Sequence, residues 1–502
     1  MPGLIEANLP ALQVVLPLVA APICAMLGKG SRAWAFATLV AFLAFAISIS
    51  LFIATYGGQV ISYEMGGWAP PLGIEYRIDV LNAFVLMIVS GMAALVLPYA
   101  HRSVAAEIPA ERQPFFYTAF LLCLTGLLGV AITGDAFNVF VFLEISSLST
   151  YALVASGSWR NKRALTAAYN YLIMGTVGAT FFVIGIGMIY MITGTLNMAD
   201  LATRIIEHGD SRTLRMGFVF IFIGVGLKLA MFPLHLWLPN AYTFAPTAVT
   251  AFVAATATKV AVYVLLRFMF TVFGFDYEFQ AETLKNVLLP VALVAMFAAS
   301  LVAIFQDDLK RMLAYSSIAQ IGYMLLGLAF LTHTGLMATI VHLFNHAVTK
   351  GALFMVAGCF ILSAGTSSIS SLRGIGRDMP WTTAAFVAGG MSLIGLPLTV
   401  GFISKWYLVQ AALELGWWPV ALLIMASSLL AIVYVWRVVE AAYLKPAPEG
   451  VTRREAPLSM LIPAWILVGL SIWFGVSATL TTTAASRAAD VLIGSSQMLW
   501  EE

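Results

Sequence analysis

Inside one long apolar stretch the chain reads HLFNHAVTKG, which places His342, His346 and Lys350 at i, i+4 and i+8. On a helix these three line one face over about 12 Å. Histidine titrates near neutral pH, so the spacing suits a proton relay ending on an amine. A His-x-x-x-His pair can also bind zinc, but no glutamate follows the first histidine and no third ligand is evident, so no metal is expected. Helix-packing hydrogen bonds are the plainer alternative. Three further lysines, Lys228, Lys259 and Lys405, and a single carboxylate, Glu144, lie equally deep in apolar surroundings.

A charged group at a bilayer centre costs about 2.5–3.5 kcal/mol, so five isolated ones would cost on the order of 12 kcal/mol or more. A chain carries such groups when they face an internal water path, pair with one another, or change protonation. Glu144 (in FNVFVFLEISSLSTYALVA) is the obvious partner for Lys228 (in IGVGLKLAMFPLHLWLP). A pair that opens and closes can load and release a proton. Four amines against one carboxylate do not balance, which requires some lysines to be uncharged part of the time. Lys259 lies on a face rich in Ala and Thr, where water or another helix approaches closely. His235 follows a helix break and is an accessory candidate; it either extends the relay or satisfies freed backbone groups.

The elements that must hold these groups are membrane helices. Of 502 residues 61% are hydrophobic and 10% charged, against about a quarter charged in soluble proteins. Apolar runs of about 20 residues, each long enough to cross a bilayer, recur from end to end. Fourteen spans are expected between residues 9 and 480, with no inserted soluble domain, no separate signal peptide, and at most a surface helix in the tail TLTTTAASRAAD. Two spans are broken. Pro233 follows Lys228 by five residues in span seven, and Gly395, Pro397 and Gly401 precede Lys405 in span twelve. Paired interruptions five spans apart, each beside a lysine, mark inverted-repeat transporters.

The expected organisation is therefore all-α: spans 1–3 over 1–113, a five-helix repeat over 114–275, a second over 284–446, and span 14 with a short tail over 447–502. Of 26 lysines and arginines, fourteen fall in loops on one side, six on the other and six inside spans. That asymmetry puts both termini outside. Arg267 and Arg437, near span ends, are expected to snorkel as anchors, and Glu440 is ambiguous. Cys24, Cys123 and Cys359 all lie in apolar runs without C-x-x-C spacing, which argues against disulfide, zinc or iron–sulfur roles. LRGIGRDMP, with no strand before it, is too weak for a nucleotide site.

Six blocks in order then resemble the antiporter-like subunits shared by Mrp-type multisubunit cation/proton antiporters and respiratory complex I. They are FLEISSLSTYALVA, GLKLAMFPLHLWLPNAYTFAPTAVTAF, ATKVAVYVLLR, DDLKRMLAYSSIAQIGYMLLGL, NHAVTKGALFMVAG and GLPLTVGFISKWYL. The resemblance implies fourteen helices, two inverted five-helix repeats and broken helices 7 and 12. It implies roles too: Glu144 and Lys228 as the controlling ion pair, Lys259 as central carrier, His342, His346 and Lys350 as connecting axis, Lys405 as terminal exchange residue. It makes the serine–tyrosine loop beginning DDLKR the turn joining the repeats. Length and Lys405 look most like the D-type subunit of Mrp antiporters, since complex I homologues often carry glutamate there. Where many relatives read WLPDAH, this chain reads WLPNAY; Asn240 and Tyr242 remove an acid and a histidine, which counts against ion access at this loop.

The leading expectation is a proton-translocating subunit of a multisubunit monovalent cation (Na+)/H+ antiporter in the cell (inner) membrane. The alternative is a pumping subunit of an NADH-quinone oxidoreductase or membrane hydrogenase-type complex. A solitary carrier of an organic solute predicts a wide cavity instead of a lysine row. An enzyme reading lacks both a cofactor ligand set and a nucleophile–base pair. No cofactor is expected. Expected partners are other membrane subunits, protons, the lipid bilayer and, in the antiporter reading, sodium, with no nucleic acid.

Overall fold

The structure, a computed structural model, describes residues 6–447 and 453–497. In hydrocarbon every backbone N–H and C=O must be paired within the segment, so the apolar runs fold as helices. Twelve helices among the described residues are long and apolar enough to cross a membrane. Two more are broken, which completes the fourteen expected. The first six are α1 (Leu9–Met26), α2 (Gly30–Thr55), α3 (Val80–Glu107), α4 (Gln113–Ile132), α5 (Ala136–Ala155) and α6 (Arg163–Thr193). Broken helix α7 comprises α7a (Arg212–Lys228) and α7b (Trp237–Phe244), followed by α8 (Thr247–Leu266) and α9 (Leu289–Ile304). Next come α10 (Leu309–Ala329), α11 (His333–Ala364) and the broken α12, split into α12a (Pro380–Ile394) and α12b (Val400–Glu414). α13 (Trp418–Val439), α14 (Leu458–Val476) and a tail helix α15 (Thr479–Gln497) complete the chain.

The helices around the middle of the polar row are among the most enclosed. About nine-tenths of the central window is buried in α8 and α10 (94% each) and 83% in α11, against 33–39% in α1, α2, α6 and α13. The outer ring thus presents apolar faces to lipid or partners, while α11 runs through the middle against α3, α8, α10, both halves of α12, α14 and α15.

Both breaks occur where the sequence places them. α7a ends at Lys228, the chain turns through Ala230 at φ 59°, and the Trp237 indole N–H donates to the freed Leu227 carbonyl at 3.0 Å. α12a ends at Gly395, whose φ of +90° only glycine adopts without strain. A Cβ at Gly401 would come within 1.8 Å of the Ser392 carbonyl, so this glycine lets α12b cross the end of α12a at backbone distance.

Several features were not expected. Between α2 and α3 an antiparallel hairpin pairs β1 (Ile61–Glu64) with β2 (Glu75–Ile78). The Asn197 amide donates to the Glu75 carboxylate at 2.9 Å, tying the hairpin to the amphipathic helix Met198–His208. This defines a hairpin end of the bundle. There too Arg215 hydrogen-bonds Asp210, in the loop before α7a, and holds its carboxyl below the usual carboxylate range.

α15 is more than a loose surface helix. Ala484, Ala485, Ala488 and Ala489 are fully buried, Arg487 donates to the Tyr56 carbonyl, and His333 meets Asp490 at 3.0 Å. The stretch beginning DDLKR is not a serine–tyrosine loop. Asp308 accepts from the Arg311 amide at 2.8 Å as the N-cap of α10, so the serine–tyrosine stretch is helical. Lys310, counted as a loop charge, is buried and donates to the Ala245 carbonyl at 2.6 Å. Glu440 pairs with Lys445 at 3.3 Å on the surface.

Arg437 is partly buried and donates to the Ile304 and Gln306 carbonyls at the end of α9. Replacing Gly401 by Val should cost about 1–3 kcal/mol by overpacking. A lowered melting temperature of the purified protein checks this; an unchanged one removes the close crossing from the stability argument.

Candidate ion-translocation site

Glu144 and Lys228 form the first element of the site. Lys228 Nζ lies 3.0 Å from Glu144 Oε1 and donates to Ser147 Oγ at 2.8 Å. Glu144 and Ser147 stand three residues apart on α5 and so share a face. Lys228 closes α7a, where the helix presents its negative end, a favourable place for an ammonium group.

The other central lysines have no carboxylate partner among the described residues. Lys259, 1% exposed, donates to the Ala254 carbonyl and to Thr258 Oγ1 at 3.3 Å. Lys350 is fully buried and donates to the Leu313 carbonyl at 2.9 Å and to Ser316 Oγ. Lys405 Nζ reaches back across the α12 break to the carbonyls of Leu393 (3.1 Å) and Ile394 (2.8 Å), the negative end of α12a. The Tyr323 ring lies 4.9 Å beneath the same ammonium.

The histidines join these groups. His342 Nδ1 is 2.8 Å from Ser404 Oγ, next to Lys405, and its ring stacks on His346 with centroids 6.1 Å apart. Neither ring nitrogen of His346 has a protein hydrogen-bond partner, nor does His342 Nε2. Lys259 lies on α8, which packs against α11, the helix of His342, His346 and Lys350. α11 and Ser404 therefore link Lys350, His346, His342 and Lys405, with Lys259 on the neighbouring helix. Glu144 and Lys228 adjoin these less directly: Tyr151 on α5 meets Tyr171 at 4.7 Å, and Tyr171 stacks on Trp237 at 4.0 Å. Tyr242, on the same half-helix as Trp237, donates to the Val253 carbonyl of α8 at 3.5 Å.

His235 does not join the row; its ring stacks on Phe232 at 5.1 Å and its Nδ1 is unpaired. The WLPNAY block is helix α7b rather than a loop, with Asn240 Oδ1 accepting from Arg311 at 3.3 Å.

A family profile described as NADH:quinone oxidoreductase/Mrp antiporter, TM, matches residues 133–431. The chain belongs to that family. It is an antiporter-like, multi-pass membrane subunit. It is similar to the N-type subunit of the NADH-quinone oxidoreductase of Desulforudis audaxviator, 43% identical over 480 residues, spanning 92% of this chain and 94% of the relative. It is also similar to the D-type subunit of the Na(+)/H(+) antiporter of Alkalihalophilus pseudofirmus, 30% identical over 435 residues and 86% of each chain.

Two solved structures share the architecture. A chain of the membrane-bound sulfane sulfur reductase, an archaeal respiratory membrane complex, superposes with TM-score 0.90 at 31% identity, covering 98% of this chain and 99% of that one. A chain of the Mrp complex from Dietzia sp. superposes with TM-score 0.89 at 25% identity, covering 99% of both. The finer assignment to the D-type antiporter subunit does not follow from these likenesses.

Sequence reasoning passed over the polar neighbours that hold the row: Ser147, Ser316, Tyr323 and Ser404. The signal for two of them was present, since Ser147 is three residues from Glu144 and Ser404 adjoins Lys405. Arg267 was misplaced. It does not snorkel, but pairs inside the bundle with Asp79 at 2.5 Å.

Removing the Ser147 hydroxyl takes away a hydrogen bond to a charged group, so Ser147→Ala should slow proton movement in vesicles by on the order of tenfold without abolishing it. An unchanged rate would remove Ser147 from the switch.

Proposed function

We propose that the chain moves protons sideways through the membrane along Glu144, Lys228, Lys259, Lys350, His346, His342 and Lys405. The observation that carries this reading is the 3.0 Å Glu144–Lys228 pair standing at the end of a row whose remaining amines are held only by neutral oxygens. An ammonium group held by carbonyls and hydroxyls gives up its proton more readily than one locked to a carboxylate. Closing the Glu144–Lys228 pair draws positive charge toward one end of the row, and opening it sends the charge on. The unpaired nitrogens of His342 and His346 supply acceptor sites between Lys259 and Lys405.

The two halves, 114–275 and 284–446, act as five-helix repeats around the two breaks. The subunit works among other membrane subunits in the cell (inner) membrane, with both termini on the outer side by the lysine and arginine distribution.

Two host complexes are supported by different observations. The 43% identity to an N-type NADH-quinone oxidoreductase subunit supports a redox-driven complex. The likeness to a D-type antiporter subunit and the lysine at position 405 support a sodium/proton antiporter. Sodium-dependent proton movement in vesicles containing the whole complex separates them: movement without any redox substrate favours the antiporter, and movement only with electron flow favours the redox-driven host.

Glu144→Ala and Lys228→Ala should each abolish proton translocation in such vesicles; full activity in either variant sinks the ion-pair switch. Lys405→Ala should block translocation while the complex still assembles, as gel filtration would report. Retained transport there takes Lys405 off the path.

A further inference from the structure

Arg267 is the charge the mechanism leaves unused, and its surroundings give it a task. Lys259, Tyr263 and Arg267 are spaced i, i+4, i+8 along α8 and the π-helical turn Arg267–Val272 that continues it, so they share one face over about 12 Å from the middle of the membrane toward the hairpin end. Tyr263 Oη donates to the Ala131 carbonyl at 2.9 Å and accepts from Arg267 Nε at 3.1 Å. Arg267 Nη2 lies 2.5 Å from both Asp79 oxygens. Asp79 is also the N-cap of α3, accepting from the Leu81 and Asn82 amides at 3.0 and 3.2 Å. Both members of the pair are more than nine-tenths buried.

Beyond the pair lies a cavity of 250 Å³ lined by Arg77, Asp79, Thr133, Tyr263, Arg267 and Thr271. Arg77 is half exposed, so this cavity faces the aqueous side at the hairpin end. We infer that Arg267 and Asp79 form an ion-pair plug that closes this end of the first half, so that Lys259 exchanges protons with one aqueous side only.

The chemistry differs from that of the row. A guanidinium does not release its proton at any physiological pH and has no acceptor. Asp79 is engaged by two backbone amides and the guanidinium, which together fix its carboxylate in place. An anchoring arginine needs none of this; it would reach outward to the headgroups, whereas this one turns inward onto a helix cap. A carrier open to both sides would dissipate the gradient that the row builds, which is the need the plug meets.

The inference rests on Lys259 being the central carrier of the proposed path. The test uses the assembled complex in sealed vesicles with an entrapped pH dye, under an imposed pH gradient and with no driving reaction. Asp79→Asn/Arg267→Gln, which preserves size and removes charge, should speed passive decay of the gradient by on the order of tenfold, the change that follows from lowering one barrier by RT ln 10. Adding Lys259→Ala should restore tightness.

A double variant as tight as the unaltered complex overturns the plug. So does a leak that persists with Lys259→Ala, because that is loosened packing. Should the double variant fail to assemble, Asp79→Asn alone keeps the helix cap, and its tightness would equally overturn the inference. Driven transport retained in Glu144→Ala would instead overturn the lateral path, whatever the leak assay reads.

Discussion

An amine in the middle of a bilayer has to be held by something other than bulk water, and the rest of this architecture follows from how that is done. Only one of the four central lysines, Lys228, is given a carboxylate. The others are given oxygens without charge: the carbonyls of Ala254, Leu313, Leu393 and Ile394, and the hydroxyls of Thr258 and Ser316. The Ala254 and Leu313 carbonyls lie inside intact helices and accept the ammonium through a second lone pair, whereas a carbonyl with no helical donor is wholly spare. Spare carbonyls occur at helix ends, and a helix end in mid-membrane requires a break. The interrupted α12 therefore exists for Lys405 as much as Lys405 exists for transport.

The same constraint sorts mobile charge from fixed charge. A buried pair of formal charges is costly to part, because removing either partner strands the other in a low dielectric. Arg267 with Asp79 is such a pair, closed further by backbone amides, and suits a permanent barrier. Glu144 with Lys228 is looser: its carboxylate remains 24% exposed and its ammonium shares a second partner in Ser147. Carbonyl-held amines are looser again. The bundle thus grades its charges from locked to transferable, and the gradation is what a stepwise proton path requires.

Much of this was legible in the sequence because membrane burial is written in composition. Glu144, Lys228, Lys259, Lys350 and Lys405 announce themselves as charges inside runs that exclude charge, and the breaks announce themselves as Pro and Gly in those runs. The His342–His346–Lys350 stripe is a local pattern on one helix. What was illegible depends on contacts between distant segments. Asp79 and Arg267 are 188 residues apart, and each sits near a span end where snorkelling is the ordinary reading. Lys310 looked like a loop charge because its carbonyl partner, Ala245, belongs to the corner between α7b and α8, 65 residues earlier. The hairpin escaped notice because its strands are four residues each, too short for alternation to register.

The two broken helices also explain why the row has a direction. In α7 the lysine is the last residue of the half-helix that it terminates, so its amine leaves the helix end and reaches sideways to Glu144 on α5. In α12 the lysine lies on the second half and reaches back to the carbonyl end of the first. The same device, a cation at a helix C-terminus, is used once with a carboxylate in competition and once without. Positive charge is held most strongly at the Glu144 end while that pair is closed. When the pair opens, the carbonyls of α12a and the Tyr323 ring offer the next favourable site at Lys405. On the proposed path, opening and closing one ion pair would reverse the preference along the whole row, because no other member carries a competing carboxylate among the described residues.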